Sequence, residues 1–579
     1  MRPLFYSLDG KAGQWNGPAT LELHAGQTLS VDLRSGGHWY GHGFNHNQAW
    51  PLENGEISNP AFAVNNIQSP LWLASAGYAI LADTRALLDV EINAKGSGVL
   101  QIRATAHGTT IRVFAGETLV EAHTAIMKHL GGFSVAPGDD LLGDSFFCTW
   151  TQYPRCITQE RILDMARQIR AHGYPCSRLI IDDRWESCFG ELTFAPKDFP
   201  DPGAMFAELH QLGFKVWLWV TPFVNQEAST FAELSRAKAL VPRRDGTGAA
   251  TMRWWGGTAG LVDVTGPAGR EWYTSKLREL QALGADGFKI DGGDYKYQPA
   301  ADIAQWHAFQ GESGYSDALL ALFESVAPGQ CETRTAWLSQ RRDILWRQGG
   351  KDSHWGADNG LHAMIILGLH FSLMGYDIFI PDMVPGRVQT MVSGCPLPTD
   401  ELMVRWTEAS AFMPMMQFSY FPWNYAPDTA AVVRAYADIH KALQPYLAQH
   451  ARGRTAPLMR PVWYAAPGEE ALYSINDEWQ LGPDLLVAPV IVTGATNRRV
   501  TLPPGEWVDA WTGRGGLRGV LDNHPAPCPG LPLFVREENR ELLEVLQHGL
   551  EKIPRAAITP DAISSTYQAG LDRDLSVTG

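Results

Sequence analysis

The sequence predicts an α/β protein: a (β/α)8 barrel flanked by N-terminal and C-terminal antiparallel β-sandwich domains. Three observations predict it. The chain has 579 residues, which at ~150 residues per domain gives about four domains, or fewer when one is a barrel. Its composition passes through three regimes, with short alternating runs first, then strand-and-helix repeats, then strands again. The repeats are numerous, and many βα units in succession point to a closed parallel barrel rather than an open sheet.

Taken in order, residues 1–135 contain Leu21-Glu22-Leu23-His24, Leu29-Ser30-Val31-Asp32-Leu33 and Thr110-Ile111-Arg112-Val113-Phe114. Period-two alternation broken by Gly, Asn and Pro reads as an antiparallel sandwich. The barrel is expected over 136–453. Its first strand is Phe146 to Thr151, followed by a helix capped by Thr158 whose apolar positions Ile162, Met165, Ala166 and Ile169 fall on one face. Strand Arg178 to Asp183 and a helix holding Met205, Leu209 and Leu212 come next. Strand Lys215 to Val220, a helix with Tyr273, Leu277 and Leu280, and strand Gly287 to Asp291 follow. Later strands are expected at Cys331 to Thr335, Ile378 to Asp382 and Met416 to Ser419, and the run Ala363 to Met374 reads as a buried helix. Over 454–545 a second sandwich is expected from Ala471 to Ile475, Leu485 to Val492 and Arg499 to Leu502. Residues 546–579 read as a polar tail.

Charge and composition exclude several classes. Lys and Arg total 47 against 62 Asp and Glu, a net charge of −15, the wrong sign for a nucleic-acid footprint or a polybasic membrane surface. No apolar run reaches the ~18 residues of a spanning helix. The start lacks the pattern of a signal peptide, and the odd count of 7 Cys fits reduced thiols better than a disulfide framework. Cytoplasmic action is therefore expected. The 21 Trp exceed what core packing alone ordinarily uses and suggest platforms for stacking sugars.

In a parallel barrel, catalytic side chains stand at the C-terminal ends of strands. Here predicted strands end in Asp182-Asp183, Asp291 and Asp382, and Asp358 opens the apolar helix. A lone Asp in such a place is ordinarily a turn or a helix cap, but convergence on one face argues for chemistry. Two carboxylates with no metal-ligand cluster suit glycoside hydrolysis, in which one attacks the anomeric carbon and the other protonates the leaving oxygen. Lys289 would hold Asp291 ionised, Gly292-Gly293 would leave room for a sugar ring, and Trp355 would favour the protonated form of Asp358. His38, His42 and His46 have the spacing of a helical metal face, but the intervening glycines disfavour a helix. No nucleophile elbow, zinc helix, phosphate loop or dinucleotide turn is present, so neither a metal nor an organic cofactor is expected.

These residues resemble glycoside hydrolase family 31. Gly284-Ala285-Asp286-Gly287-Phe288-Lys289-Ile290-Asp291 looks like its nucleophile strand, and Trp355-Gly356-Ala357-Asp358-Asn359 looks like its acid/base segment. Gly482 to Val490 and Leu502 to Asp509 resemble its C-terminal signature. The segments Lys351 to Gly356, Met374 to Met383 and Arg405 to Phe418 look most like the branch that holds the animal myogenesis-regulating glycosidase and bacterial α-galactosidases. The family's nucleophile strand commonly continues with Gly-Glu, whereas this chain runs Asp291-Gly292-Gly293-Asp294, a departure that bears on which sugar is taken.

The resemblance implies a retaining exo-α-glycosidase with Asp291 as nucleophile and Asp358 as acid/base, Asp352 being the rival for the acid role. It implies sugar binding by Asp182, Asp183, Trp219, Trp255, Lys289, Arg347, Asp352, Trp355 and Asp382, with Arg334 and Arg342 competing with Arg347. The expected partner is a small α-glycoside, an α-galactoside first and an α-glucoside second, and a homo-oligomer accords with the family. A transglycosylase and a non-catalytic sugar-binding protein are the alternative classes.

Overall fold

A computed structural model describes residues 2–554 except 46, 64, 106–107, 154–155, 300–312 and 388–397. The N-terminal unit is two antiparallel sheets, of six and five strands. Their inner faces bury Leu29, Val31, Trp72, Leu100 and Ile102 between them, as alternation predicts. A helix not anticipated from the alternation, Leu119–His129, is capped by the Thr118 hydroxyl and buries Leu119, Ala122 and Ile126.

The barrel has eight parallel strands: β1 Ser145–Cys148, β2 Arg178–Ile181, β3 Lys215–Val220, β4 Gly287–Ile290, β5 Cys331–Thr333, β6 Leu345–Arg347, β7 Phe379–Ile380 and β8 Met416–Phe418. β8 pairs with β1, and the Val384 amide donates to the Gln417 carbonyl at 2.8 Å, bringing the segment after β7 against β8. The strand β6 was not anticipated, because three residues are too few to show a period. Thr158 caps the first barrel helix as expected, its hydroxyl accepting from the Arg161 amide. Between β3 and β4 stands a small antiparallel sheet of Phe223–Asn225, Thr251–Trp254 and Gly257–Leu261, which puts Trp255 at a strand turn. Helix Leu361–Leu373 is apolar on every side and correspondingly buried.

A six-stranded antiparallel sheet follows the barrel. The strand expected at Ala471 to Ile475 is instead a 3-10 turn at Glu470–Leu472. There the Tyr473 carbonyl accepts from the Tyr40 hydroxyl and the Trp50 indole of the N-terminal unit, so tertiary bonds replace a ladder. Helix Arg540–Leu550 runs through the boundary expected at 545 and buries Leu542, Leu543, Leu546 and Leu550. The remainder of the expected tail, from 555, lies outside the described residues.

Eleven tryptophans, among them Trp72, Trp217, Trp346 and Trp463, are less than 2% exposed. Most of the indole content therefore packs the core, which corrects the expectation drawn from its abundance. No helix among the described residues is long and apolar enough to cross a membrane.

Candidate active site

The C-terminal ends of the barrel strands surround a cavity of about 640 Å³. Strands β2 to β6 place polar side chains there, because residues that follow a short buried strand are the first to leave the core. Asp182, Asp183, Trp219, Trp255, Lys289, Asp291 and Arg347 all line it, joined by Arg334.

The base of the site is a ring of alternating charge. Lys289 Nζ lies 2.7 Å from Asp182 Oδ2 and 3.8 Å from Glu332 Oε1. Arg347 bridges Glu332, at 3.0 Å, and Asp382, at 3.3 Å. Gln417 donates to Glu332 at 3.3 Å, and the Lys351 amide donates to Asp382 at 2.9 Å. Buried charges persist only when paired in this way. Desolvation and the neighbouring carboxylates pull on Lys289 in opposite senses, and its pKa is raised.

Asp291 stands above this ring. Arg334 Nε approaches its Oδ1 at 2.6 Å, the Trp219 indole donates to its Oδ2 at 3.1 Å and the Gly292 amide donates to Oδ1 at 3.0 Å. Burial alone would raise its pKa, but Arg334, Arg347, the indole bond and Lys289 outweigh burial and hold it below the usual carboxylate range. Direct contact thus comes from Arg334. Lys289, expected in that role, pairs with Asp182 and acts on Asp291 only at longer range. Asp183 behaves oppositely: burial and the charges of Asp182 and Asp291 push it up to about 8.

Glycines 292 and 293, expected to leave room for a sugar ring, also have a backbone reason and a packing reason. Both are left-handed, at φ +88° and +82°, and a Cβ on Gly292 would meet the Phe223 ring at 2.7 Å.

None of the remaining expected residues is among those that line the cavity. Asp382 is fully buried beneath the cavity. Asp352 lies one shell back, accepting from Asn359 at 2.8 Å and from Arg387, both of which line the cavity. Trp355 packs half-buried against the core. Asp358 is not among the lining residues; its side chain is 62% exposed and lies 3.7 Å from His354 Nε2. Arg342 is away from the site, paired with Asp317 and Glu324.

Several lining or supporting residues were not anticipated. Glu332 was legible as the one charge within the strand Cys331–Thr333. Asp294 follows β4 closely. Asn66 and Phe44 come from the N-terminal unit, and no local pattern marks a residue that reaches across domains. The histidines serve structure: His38 sits between Glu53 at 2.7 Å and Glu470 at 2.9 Å, His42 stacks on Phe62, and His46 lies outside the described residues. Among the described residues no group of His, Cys, Asp or Glu is arranged to hold a metal.

A carboxylate between an arginine and an indole, at the mouth of such a barrel, accords with the family matches. Residues 142–450 match the family 31 glycosyl hydrolase TIM-barrel domain, and 455–539 match that family's C-terminal domain. The chain belongs to glycosyl hydrolase family 31. Residues 14–127 match the N-terminal domain of myogenesis-regulating glycosidase. The mouse protein of that name is 31% identical over 81% of this chain and 70% of its own length. A 1,3-alpha-isomaltosidase of Kribbella flavida is 31% identical over 58% of this chain, which spans only 50% of that relative. Among solved structures, a family 31 dextranase of Flavobacterium johnsoniae complexed with glucose has a TM-score of 0.74 at 20% identity, covering 90% of this chain and 67% of its own. A sulfoquinovosidase of E. rectale has a TM-score of 0.75 at 18% identity, covering 95% of this chain and 87% of its own. At those identities the solved structures speak to the fold of this family 31 chain alone.

Proposed function

We propose that this family 31 chain is a retaining exo-α-glycosidase that removes a terminal α-linked sugar, with an α-galactoside as preferred substrate and an α-glucoside second. The observation that carries the reaction type is the ionised Asp291, seated in the cavity between Arg334 and the Trp219 indole. The preference for galactose rests on the segments that resemble the branch holding bacterial α-galactosidases. Relatives named for isomaltosides and xylosides keep the glucoside reading in play.

In this reading Asp291 attacks C1 and forms a β-glycosyl ester. Asp358 gives its proton to the departing glycosidic oxygen and then takes one from water, which opens the ester and releases the α-sugar. Asp358 suits the acid better than Asp352, because Asn359 and Arg387 occupy the two Asp352 carboxylate oxygens while the Asp358 side chain is exposed, 3.7 Å from His354 Nε2. Its exposed side chain must turn toward the cavity, and the adjacent Asn359 already lies on the wall. Asp182, Lys289 and Arg347 form the charged floor that receives hydroxyls, with Asp382 pairing with Arg347 from beneath. Asp183, protonated near neutrality, donates to a sugar oxygen, and Trp219 and Trp255 offer ring faces.

The deciding experiment is hydrolysis of a panel of p-nitrophenyl α-glycosides, with proton NMR following the first anomer released. Release from the α-galactoside with the α-anomer appearing first is the expected result. Release from the α-glucoside alone would overturn the sugar and keep the mechanism. Product analysis with added acceptor sugar separates hydrolysis from transglycosylation.

A further inference from the structure

The arginine that touches Asp291 is itself gripped from another domain. Arg334 spends each edge of its guanidinium differently. Nε meets Asp291 Oδ1 at 2.6 Å, Nη2 meets Asp294 Oδ2 at 2.9 Å, and Nη1 donates to Asp294 Oδ1 at 3.0 Å and to Asn66 Oδ1 at 2.8 Å. Asn66 belongs to the N-terminal unit, on the loop before strand Gln68–Ala74. Its own amide donates to Asp294 Oδ1 at 2.7 Å, so a single residue fixes both the guanidinium and the carboxylate that pairs with it.

The loop is anchored where it meets the barrel. Ile67 bridges Ala336, three residues beyond β5. Asn66 adopts a left-handed backbone, φ +57°, a conformation that asparagine tolerates better than most residues. Gly349 has no Cβ, which at that position would stand 2.8 Å from Asn66 Oδ1. Asn66 and Asp294 are buried, so water competes little for these bonds.

We propose that Asn66 is a positioning residue for the nucleophile: through Asn66 and Asp294 the N-terminal unit clamps Arg334 in the one orientation that sets Nε against Asp291. The inference rests on Asp291 being the nucleophile. An arginine side chain is long and rotamer-rich, and its attraction for a carboxylate falls with distance. Without the Asn66 carbonyl, Nη1 loses one partner and the guanidinium gains freedom to leave Oδ1. The groups acting on Asp291 from the packed elements are Arg334 from β5, Arg347 from β6, Lys289 from β4, Asp183 from β2, Asp294 beyond β4 and the Trp219 indole from β3. Of the cations, Arg334 makes the direct contact, so its displacement should be felt first.

The test is the pH dependence of kcat/KM of the full chain with its best p-nitrophenyl glycoside. Asn66→Ala changes no charge, and its acid limb should move up by about half a pH unit while the basic limb stays in place. Gly349→Ala leaves Asn66 intact but crowds its carbonyl, and it should shift the limb in the same direction, which covers the case in which Asn66→Ala does not fold. A residue that merely supports the fold would lower the whole profile or the Tm without moving the limb. An unmoved acid limb in the folded variants therefore overturns the clamp. Asp291→Asn with wild-type turnover would instead sink the nucleophile reading on which the clamp depends.

Discussion

The roles proposed for Asp291, Asp358 and Asp352 are separated by varying the leaving group. Asp291→Asn should lose ~10⁴-fold or more in kcat with any glycoside. Asp358→Asn should lose ~10²–10⁴-fold with an alkyl aglycone, which needs a proton, and far less with p-nitrophenolate, which does not. Asp352→Asn should show no such dependence on the aglycone, and if the dependence follows Asp352 the acid assignment is reversed. Asp183 makes a second prediction with a defined sign. Its raised pKa of about 8 keeps it protonated below that pH, so the bond it donates is lost as pH rises through about 8. Asp183→Asn keeps a donor that does not titrate, and a pH profile of the variant should lack this basic limb.

At the scale of elements, the buried helix Leu361–Leu373 ties the barrel to the N-terminal unit. Leu367 has no exposed surface, and Leu367→Ala should cost ~2–5 kcal/mol of stability, read by urea unfolding. The interruption by His370 is explained by its partners, since Nδ1 accepts from the Gly41 amide at 3.1 Å and Nε2 faces the Ala49 carbonyl at 2.9 Å. Both bonds require a neutral ring with its proton on Nε2. The short elements behave differently. β6 is too brief to carry a period, and the tertiary bonds at Tyr473 displaced an expected strand.

Across the whole molecule, the docking of the N-terminal unit should be acid-sensitive. Burial lowers the pKa of His370 from 6.5 to about 4, while in the unfolded chain it remains near 6.5. Between those values the unfolded state binds the extra proton, so this contribution is present above pH 6.5 and is lost as pH falls toward 4. The neighbouring His42, lowered to about 3 by burial and by His370, adds in the same sense. The stability of the wild type relative to His370→Gln should therefore grow by ~1.4 kcal/mol per pH unit from pH 4 to 6.5, measured by denaturation at each pH. A flat difference would show that the ring is not held neutral.

The barrel between two β units and the carboxylates at its strand ends were legible in the sequence, because hydrophobic period and strand termini are local properties. So were Asp291 and Asp382, each of which follows a buried apolar strand. Other features needed the tertiary structure. Lys289 stands two residues from Asp291 and was expected to hold it ionised, yet Lys289 bonds to Asp182 and the direct counter-ion of Asp291 is Arg334, just beyond the next strand. Asn66 and Asp294 stand 228 residues apart in the chain and are joined by one hydrogen bond. Sequence determines which side chains leave the core at which strand end; only the closing of the barrel and the docking of a second domain on it decide which of them meet.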